Sequence, residues 1–474
     1  MKEITLAIRY IPYPHTGSNI QQVLEEVIFE WKLQQKAFFC NTDNASNMKK
    51  CFNQISWLQR LSCTAHTIQL VVGKGLLSAE ILIARAKRLI NFFTSPKQNE
   101  RLLDAQRKHS DNNNSEENDT HKIFYRAITD VETRWSSTYI AWERLIMLQP
   151  YIDIVISSLN ASQDHNVKED LNRLRKINLT SKEWELILDL LVILGPFAEL
   201  TENLEGTKYT TMSYIHPGIA KIKKILRPAR QEENNLDLKT NDNAFEEHLF
   251  EEDDEEDEPQ AKRKIKINTP VVTSGLLDRI KADLYNALEK YYEVIEKEAL
   301  IAALLDPRKK KMKFAKNDQK ELAKNGLKDI YETAKNDSNI QQESHRPSGS
   351  TPKKLRTTLK TSVYKKSLFL SDDESDDTQI EDDEIERYLV MAQIKSQEPL
   401  KWWDVNKVQF PILAQLARKY LSIQATSGAS ERVFSDAGLI MSTKRTSMKE
   451  DLFEALIFLK RNGELVGGMF NNGT

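Results

Sequence analysis

Four residues of this chain combine reactive side chains with suggestive surroundings. Glu431 lies in SGASERVFSDAG (residues 427–438), with small residues before it and Val433 and Phe434 after it. The pattern places a carboxylate in the first turn of a partly apolar helix, where it either offsets the helix dipole or stands as an oxygen ligand for a metal ion. Asp43 follows the apolar run of KAFFCNTD and precedes turn-forming residues, so it either caps a turn or is delivered to the end of a buried strand. Cys63 and His66 fall one turn apart in RLSCTAHTIQLVVGKGLL, a segment that reads as helical. Two such groups do not close a zinc site, which needs four ligands, and a core cysteine beside a hydrogen-bonded histidine also accounts for the pair.

The elements that must position these residues are legible in outline. ITLAIRYIPYPHTG alternates Ile4, Leu6 and Ile8 before Pro12 and Pro14, which predicts a strand over residues 4–11 and then a turn. NIQQVLEEVIFEWKL carries Val23, Leu24, Val27, Ile28 and Trp31 at helical spacing, with Ser18 or Asn19 as the cap. From about residue 80 to 235 the pattern is mainly helical, as in STYIAWERLIMLQPYIDIVISSL and SKEWELILDLLVILGPFAEL, with SDNNNSEENDT as a loop. Two acidic tracts, 246–258 and 372–386, are too charged to pack, and Ser371 and Ser375 in the second resemble phosphorylation sites. The basic run 262–266 reads equally as a nuclear import signal or a solvated linker, and 308–313 reads as helix surface. PLKWWDVNKVQFPILAQLARKYLSI and DLFEALIFLKRN predict apolar helices around the stretch that holds Glu431.

At 474 residues and 40% hydrophobic content, there is room for two or three domains. Sixty-eight basic residues against 70 acidic ones neither demand nor exclude nucleic acid. Cys40, Cys51 and Cys63 are too few for a disulfide framework, and no run of eighteen apolar residues predicts a membrane partner, so an intracellular protein is expected.

Five segments in order, TDNASNM, CTAHTIQL, DVETRWSSTY, LLDPR and the C-terminal run, together resemble the hAT transposases and the host proteins derived from them. That run includes Trp402, Trp403, FPILAQLARKYLSIQATSGASERVFSDAG, Lys444, Arg445 and LFEALIFLKRN. The resemblance implies a ribonuclease-H-like fold interrupted by a large all-helical insertion, cutting DNA with two divalent ions, Mg or Mn, held by Asp, Asp and Glu. Such chemistry needs hard carboxylate oxygens converging from separate elements. By resemblance Asp43 matches the second acid, Glu431 the third, and His66 a histidine near the scissile phosphate. Arg134 and Trp135 match a pair whose indole stacks on a flipped base, although Trp135 packing on Tyr139 and Trp142 fits as well. Trp402, Trp403, Phe434, Leu456 and Leu459 are candidates for a dimer interface, or for core.

Two family parts are not found in the sequence: the BED zinc finger and the first catalytic Asp. Glu3 is the only acid nearby and lies on another strand. The expectation is therefore an N-terminally truncated, α-rich α+β chain with an incomplete ribonuclease-H-like fold. Its parts would be 1–80 (the start of the core), 81–400 (the helical insertion, disordered near 231–268 and 335–385) and 401–465 (the dimerisation region). Strand 4–11, lacking its usual neighbours, would be left unpaired, pair with the strand around Phe38 and Phe39, or pair between chains, making residues 1–80 the least stable part. The function expected is that of a catalytically inactive nuclear protein that binds no cofactor, with itself and DNA as partners. The alternatives are an active transposase completed by parts outside this sequence and an interaction scaffold with no nucleic-acid role.

Overall fold

The computed structural model describes residues 1, 3–112, 124–130, 135–227, 269–292, 297–344, 383–441 and 448–471. The tracts at 246–258 and 262–266, Ser371, Ser375, Arg134, Lys444 and Arg445 lie outside them. By its internal contacts the chain forms two units, Met1–Ala299 with Ser422–Thr474, and Leu300–Leu421, so the C-terminal stretch 401–465 is shared between them.

In the first unit, Thr16 opens α1 (Gly17–Glu30), its hydroxyl accepting the Asn19 N–H in the role expected of Ser18 or Asn19. Ile28 of α1 packs with Cys51, Phe52, Ile55 and Leu58 in a small core. Strand β1 (Phe39–Thr42) leads through α2 (Ser46–Asn53) to β2 (Gln59–Ser62). The two strands pair in parallel, Phe39 opposite Gln59 and Thr42 opposite Ser62. They are the sheet found among the described residues.

Two expectations change here. RLS belongs to β2 rather than to a helix, because a four-residue strand that buries only Leu61 leaves no alternation to read. Residues 4–11 do not form a strand ladder. Instead the buried Asn462 side chain imitates a partner strand at one residue: its amide donates to Thr5 O at 2.8 Å and its oxygen accepts the Thr5 N–H at 3.0 Å. Arg9 adds ion pairs to Glu30 and Glu454, each at 2.8 Å.

Beyond β2 this unit is helical: α3 (Thr64–Gly75), α4 (Glu80–Thr94), α5 (Pro96–Asn112), α6 (Trp135–Ala161), α7 (His165–Ile177), α8 (Ser181–Leu204), α9 (Ile215–Leu226) and α10 (Leu276–Tyr291). A Cβ at Gly75 would lie 2.2 Å from a Leu284 methyl, so glycine is what lets α3 and α10 touch. Thr180 and Glu183 form a capping box at the start of α8. The Glu183 carboxylate, 0% exposed, also accepts Arg85 Nε of α4 at 2.7 Å and the Val271 N–H at 3.0 Å. Burial pushes its pKa up, but the Arg85 guanidinium and the backbone N–H donors prevail and hold it below the usual carboxylate value.

In the second unit, α11 (Lys297–Leu305, from Leu300 on) leads through a turn to α12 (Asn317–Ser344), and α13 (Glu384–Val390), α14 (Pro399–Asn406) and α15 (Pro411–Leu421) complete it. Helix α12 carries regular structure into the region 335–385 expected to be disordered. The end of the second acidic tract is also packed: Asp383 caps α13, and the buried Glu384 accepts the N–H groups of Ile412 and Leu413 at the start of α15, at 3.3 and 3.0 Å. A carboxylate matched to open helix N–H groups can pack where an unmatched one cannot. Residues 308–313 are a turn rather than helix surface. Arg308 and Lys309 pair with Asp306, which is 0% exposed, and Lys310 is buried, donating to Tyr388 O.

Arg85→Met should cost about 3–5 kcal/mol by stranding the buried Glu183 charge. Urea denaturation checks this, and a loss below about 1 kcal/mol would show that the pair is not buried as described.

Candidate active site

Asp43 stands one residue beyond the end of β1, and its Oδ1 accepts the Ala45 N–H at 3.3 Å. Arg60 of β2 braces this turn, donating to Thr42 Oγ1 and Asn44 Oδ1, both at 2.8 Å, and to Asp43 O. One residue after β2, Cys63 takes the N-cap position of α3, which puts His66 in the first turn, half-buried. Burial lowers the His66 pKa, while the negative charges of Asp43 and Glu431 oppose the shift. The charges of two residues from well-separated stretches thus act on the His66 imidazole, and the local geometry of Asp43 agrees with both of its readings: it caps a turn at the end of a strand.

Glu431 reaches this place because the segment 424–428 is tied down on several sides. Asn41 Nδ2 donates to Gln424 O at 2.8 Å, and the Thr64 N–H at the start of α3 donates to Ala425 O at 2.9 Å. Thr211 Oγ1 accepts the Ala425 N–H at 2.9 Å and donates to Gln424 Oε1 at 3.0 Å. The Ser427 N–H reaches Cys63 Sγ at 3.3 Å. Helix α16 (Gly428–Ile440) then begins, with Glu431 exposed in its first turn and Arg432 donating to Glu205 O at 3.2 Å. Cys63, a turn before His66, is buried, as a core cysteine would be, and serves as an acceptor for this segment. Asn41, Arg60, Thr211 and Gln424 were not singled out from sequence; the partners of Asn41, Thr211 and Gln424 lie hundreds of positions away and those of Arg60 lie 16–18 residues back, so none leaves a local signal.

Asp43 and Glu431 supply the hard oxygen donors that a divalent ion takes. Among the described residues, however, no three His, Cys, Asp or Glu side chains stand close enough to share an ion. The residues present do not by themselves fit a two-ion centre. What they offer is a pair of exposed carboxylates beside a half-buried imidazole held toward its neutral form.

The other candidates are placed elsewhere. Trp135 starts α6 with 7% of its surface exposed, its N–H donating to Gln69 Oε1 at 3.1 Å, and its ring meets Tyr139 and Phe197 edge-on at 6.4 Å. Its surface is committed to packing, which leaves little ring face for a base. Trp402 and Trp403 are core of the second unit: they cluster with Tyr388 and Phe410, and Trp403 Nε1 donates to Leu305 O at 2.8 Å. Phe434 and Leu459 are 73% and 53% exposed, and Leu456 is partly exposed.

Residues 380–462 match the hAT family C-terminal dimerisation region, and residues 1–68 match the ZBED1 RNase-like domain. Over 94% of its length the chain is 26% identical to the Zea mays protein named "Putative AC transposase", covering 51% of that protein. The chain is homologous to the hAT transposases. Over 97% of its length it is also 22% identical to the human zinc finger BED domain-containing protein 4, covering 34% of it, so it spans about half or less of these relatives. Both matches touch the site: the one over 1–68 ends just past His66, and the one over 380–462 contains Glu431.

Thr211→Val should cost about 1–3 kcal/mol, because it leaves the buried Ala425 N–H without an acceptor; an unchanged urea midpoint would show that the segment is not held there. The pKa of His66 lies below its unfolded value, so its contribution to stability is present above about pH 6.5 and lost as pH falls through the folded value. The melting temperature should therefore drop more between pH 7 and pH 5 than it does in His66→Gln; parallel pH profiles would contradict the burial of the neutral ring.

Proposed function

We propose that this protein is a nuclear, hAT transposase-derived DNA-binding protein that self-associates through its C-terminal region, and that the 474-residue chain alone does not cut DNA. The observation that carries this reading is that the charges of Asp43 and Glu431 act on His66 beyond the end of a parallel strand pair, while no three His, Cys, Asp or Glu side chains among the described residues stand close enough to share a metal ion. DNA as partner and the nucleus as location are supported by the relatives, one named as a transposase and another for its zinc finger.

Self-association is supported by the match at 380–462 and by what α16 and α17 (Glu450–Asn471) leave open. These helices are tied together by Asp436 with Lys460 and Arg461, at 2.7 and 3.3 Å, while Phe434, Leu439, Leu452 and Leu459 stay more than half exposed. Exposed apolar side chains in such number on two helices tied together are the material of an interface. With Trp402 and Trp403 used in the core, the interface falls to these four.

The action of both carboxylates' charges on His66 also favours a second reading, an active transposase completed by a further carboxylate from another segment. Incubation of the purified chain with supercoiled plasmid and Mg²⁺ or Mn²⁺ separates the two. No nicking is expected; metal-dependent nicking that Asp43→Ala and Glu431→Ala abolish would establish the second reading. Light scattering at micromolar concentration should find more than one chain per particle, and Phe434→Glu with Leu459→Glu should give the monomer. A folded wild-type monomer would contradict the interface.

A further inference from the structure

Residues 3–12 run without a bend or turn, and helix α17 clasps them at three points: Arg461 pairs with Glu3, Asn462 exchanges two hydrogen bonds with Thr5, and Glu454 pairs with Arg9. The backbone N–H and C=O groups of Leu6 to Tyr10 meet no other group among the described residues. In an extended chain successive residues turn these groups to opposite edges, so Asn462 covers the edge that Thr5 faces and the edge of Leu6, Ile8 and Tyr10 stays open. A groove of about 750 Å³ adjoins residues 6–9, walled by Trp31 just past α1 and by Ala455, Phe458 and Leu459 of α17. An open strand edge beside a largely apolar groove is a template for a further strand.

Two features single out the strand that fits. Ala455, Phe458 and Leu459 fall within the match at 380–462, and Leu459 is one of the four exposed apolar residues on α16 and α17, so the groove continues the surface assigned to self-association. The segment is also complementary to itself. Laid antiparallel about Ala7, Leu6 faces Ile8 and Ile4 faces Tyr10, apolar against apolar, each pair exchanging both its hydrogen bonds along the open edge. Arg9, the only charge from Ile4 to Ile11, faces Thr5, so no like charges meet.

We propose that residues 4–10 of two copies pair as antiparallel strands about a two-fold axis at Ala7, completing between chains the ladder that neither forms alone. The pairing rests on the chain associating with itself, and adds a backbone contact to that interface. On the axis Ala7 meets its own copy in a non-hydrogen-bonded pair, the closest kind, with Cα atoms about 4.5 Å apart, where a small side chain fits.

Cysteine cross-linking of the full chain tests the register. Oxidised with glutathione disulfide, Ala7→Cys should give a covalent dimer, because about 4.5 Å lies within the Cα separation that a disulfide bridges. Ile8→Cys, whose two copies stand diagonally at about 7–8 Å, should give about fivefold less or lower still. The wild type, with Cys51 and Cys63 buried and Cys40 half-buried, sets the background. Ile8→Pro removes an N–H from the open edge and should weaken association about tenfold in sedimentation, while thermal melting shows that each variant is folded. A wild type that associates, with no cross-link at Ala7→Cys above background and no effect of Ile8→Pro, overturns the strand pairing and leaves the C-terminal interface standing. Equal cross-linking of Ala7→Cys and Ile8→Cys reports random collision and likewise overturns the pairing. A folded wild-type monomer without a cross-link overturns both the pairing and self-association.

Discussion

The segment 424–428 is the constraint on which the site depends. Up to Gly428, which opens α16, it is neither helix nor strand, and its backbone groups are met by a side chain of β1, the first N–H of α3, the Thr211 hydroxyl and the Cys63 sulfur. Each bond contributes only about 0.5–1.5 kcal/mol net, but a buried backbone group left unmet costs about 1–3 kcal/mol, so the set is hard to give up piece by piece. Because α16 begins where this segment ends, the ties also decide where Glu431 stands relative to Asp43 and His66. The partners are separated by 364 residues at Cys63 and 214 at Thr211, so loop closure must precede any return from these contacts.

Cysteine at position 63 suits this arrangement. It is buried, small and weakly hydrogen-bonding, so it packs as a core residue while still accepting the Ser427 N–H. His66, a turn later on the same helix, is left half-buried, and the negative charges of Asp43 and Glu431 do not wholly offset the cost of burying its charge. Arg60 is the counterpart on the strand side: its guanidinium bonds three acceptors in the Thr42 to Asn44 turn, fixing the backbone that carries Asp43. A carboxylate on a braced turn and another on a tied helix start are held by different elements, as any chemistry requiring their approach demands.

Much of this was legible in sequence. The apolar stripes of α1 and α8 and the apolar run before Asp43 gave the elements that flank the site, because burial on one face leaves a periodic trace. The short strand β2, with Leu61 alone buried, left no such trace, and residues 4–11 had the alternation without a partner to make it a ladder. Trp402 and Trp403 could be read as core or interface because both places reward aromatic burial, and only the acceptor at Leu305 O settles Trp403 in the core. Glu384 looked like one more charge in an acidic tract; its value comes from the start of α15, 28 residues further on. The ties on 424–428 were invisible for the same reason: a polar residue announces its type but not its partner.

Native-state hydrogen exchange of the Ala425 and Ser427 amides is the most direct test of that constraint, since one is accepted by Thr211 Oγ1 and the other by Cys63 Sγ. Protection of both amides in the range of those in α3, such as Ile68 and Val71, is the result this structure requires. Exchange of both at the rate of an unstructured chain, with α3 still protected, would mean that the segment is loose and that Glu431 is not held beside Asp43 and His66.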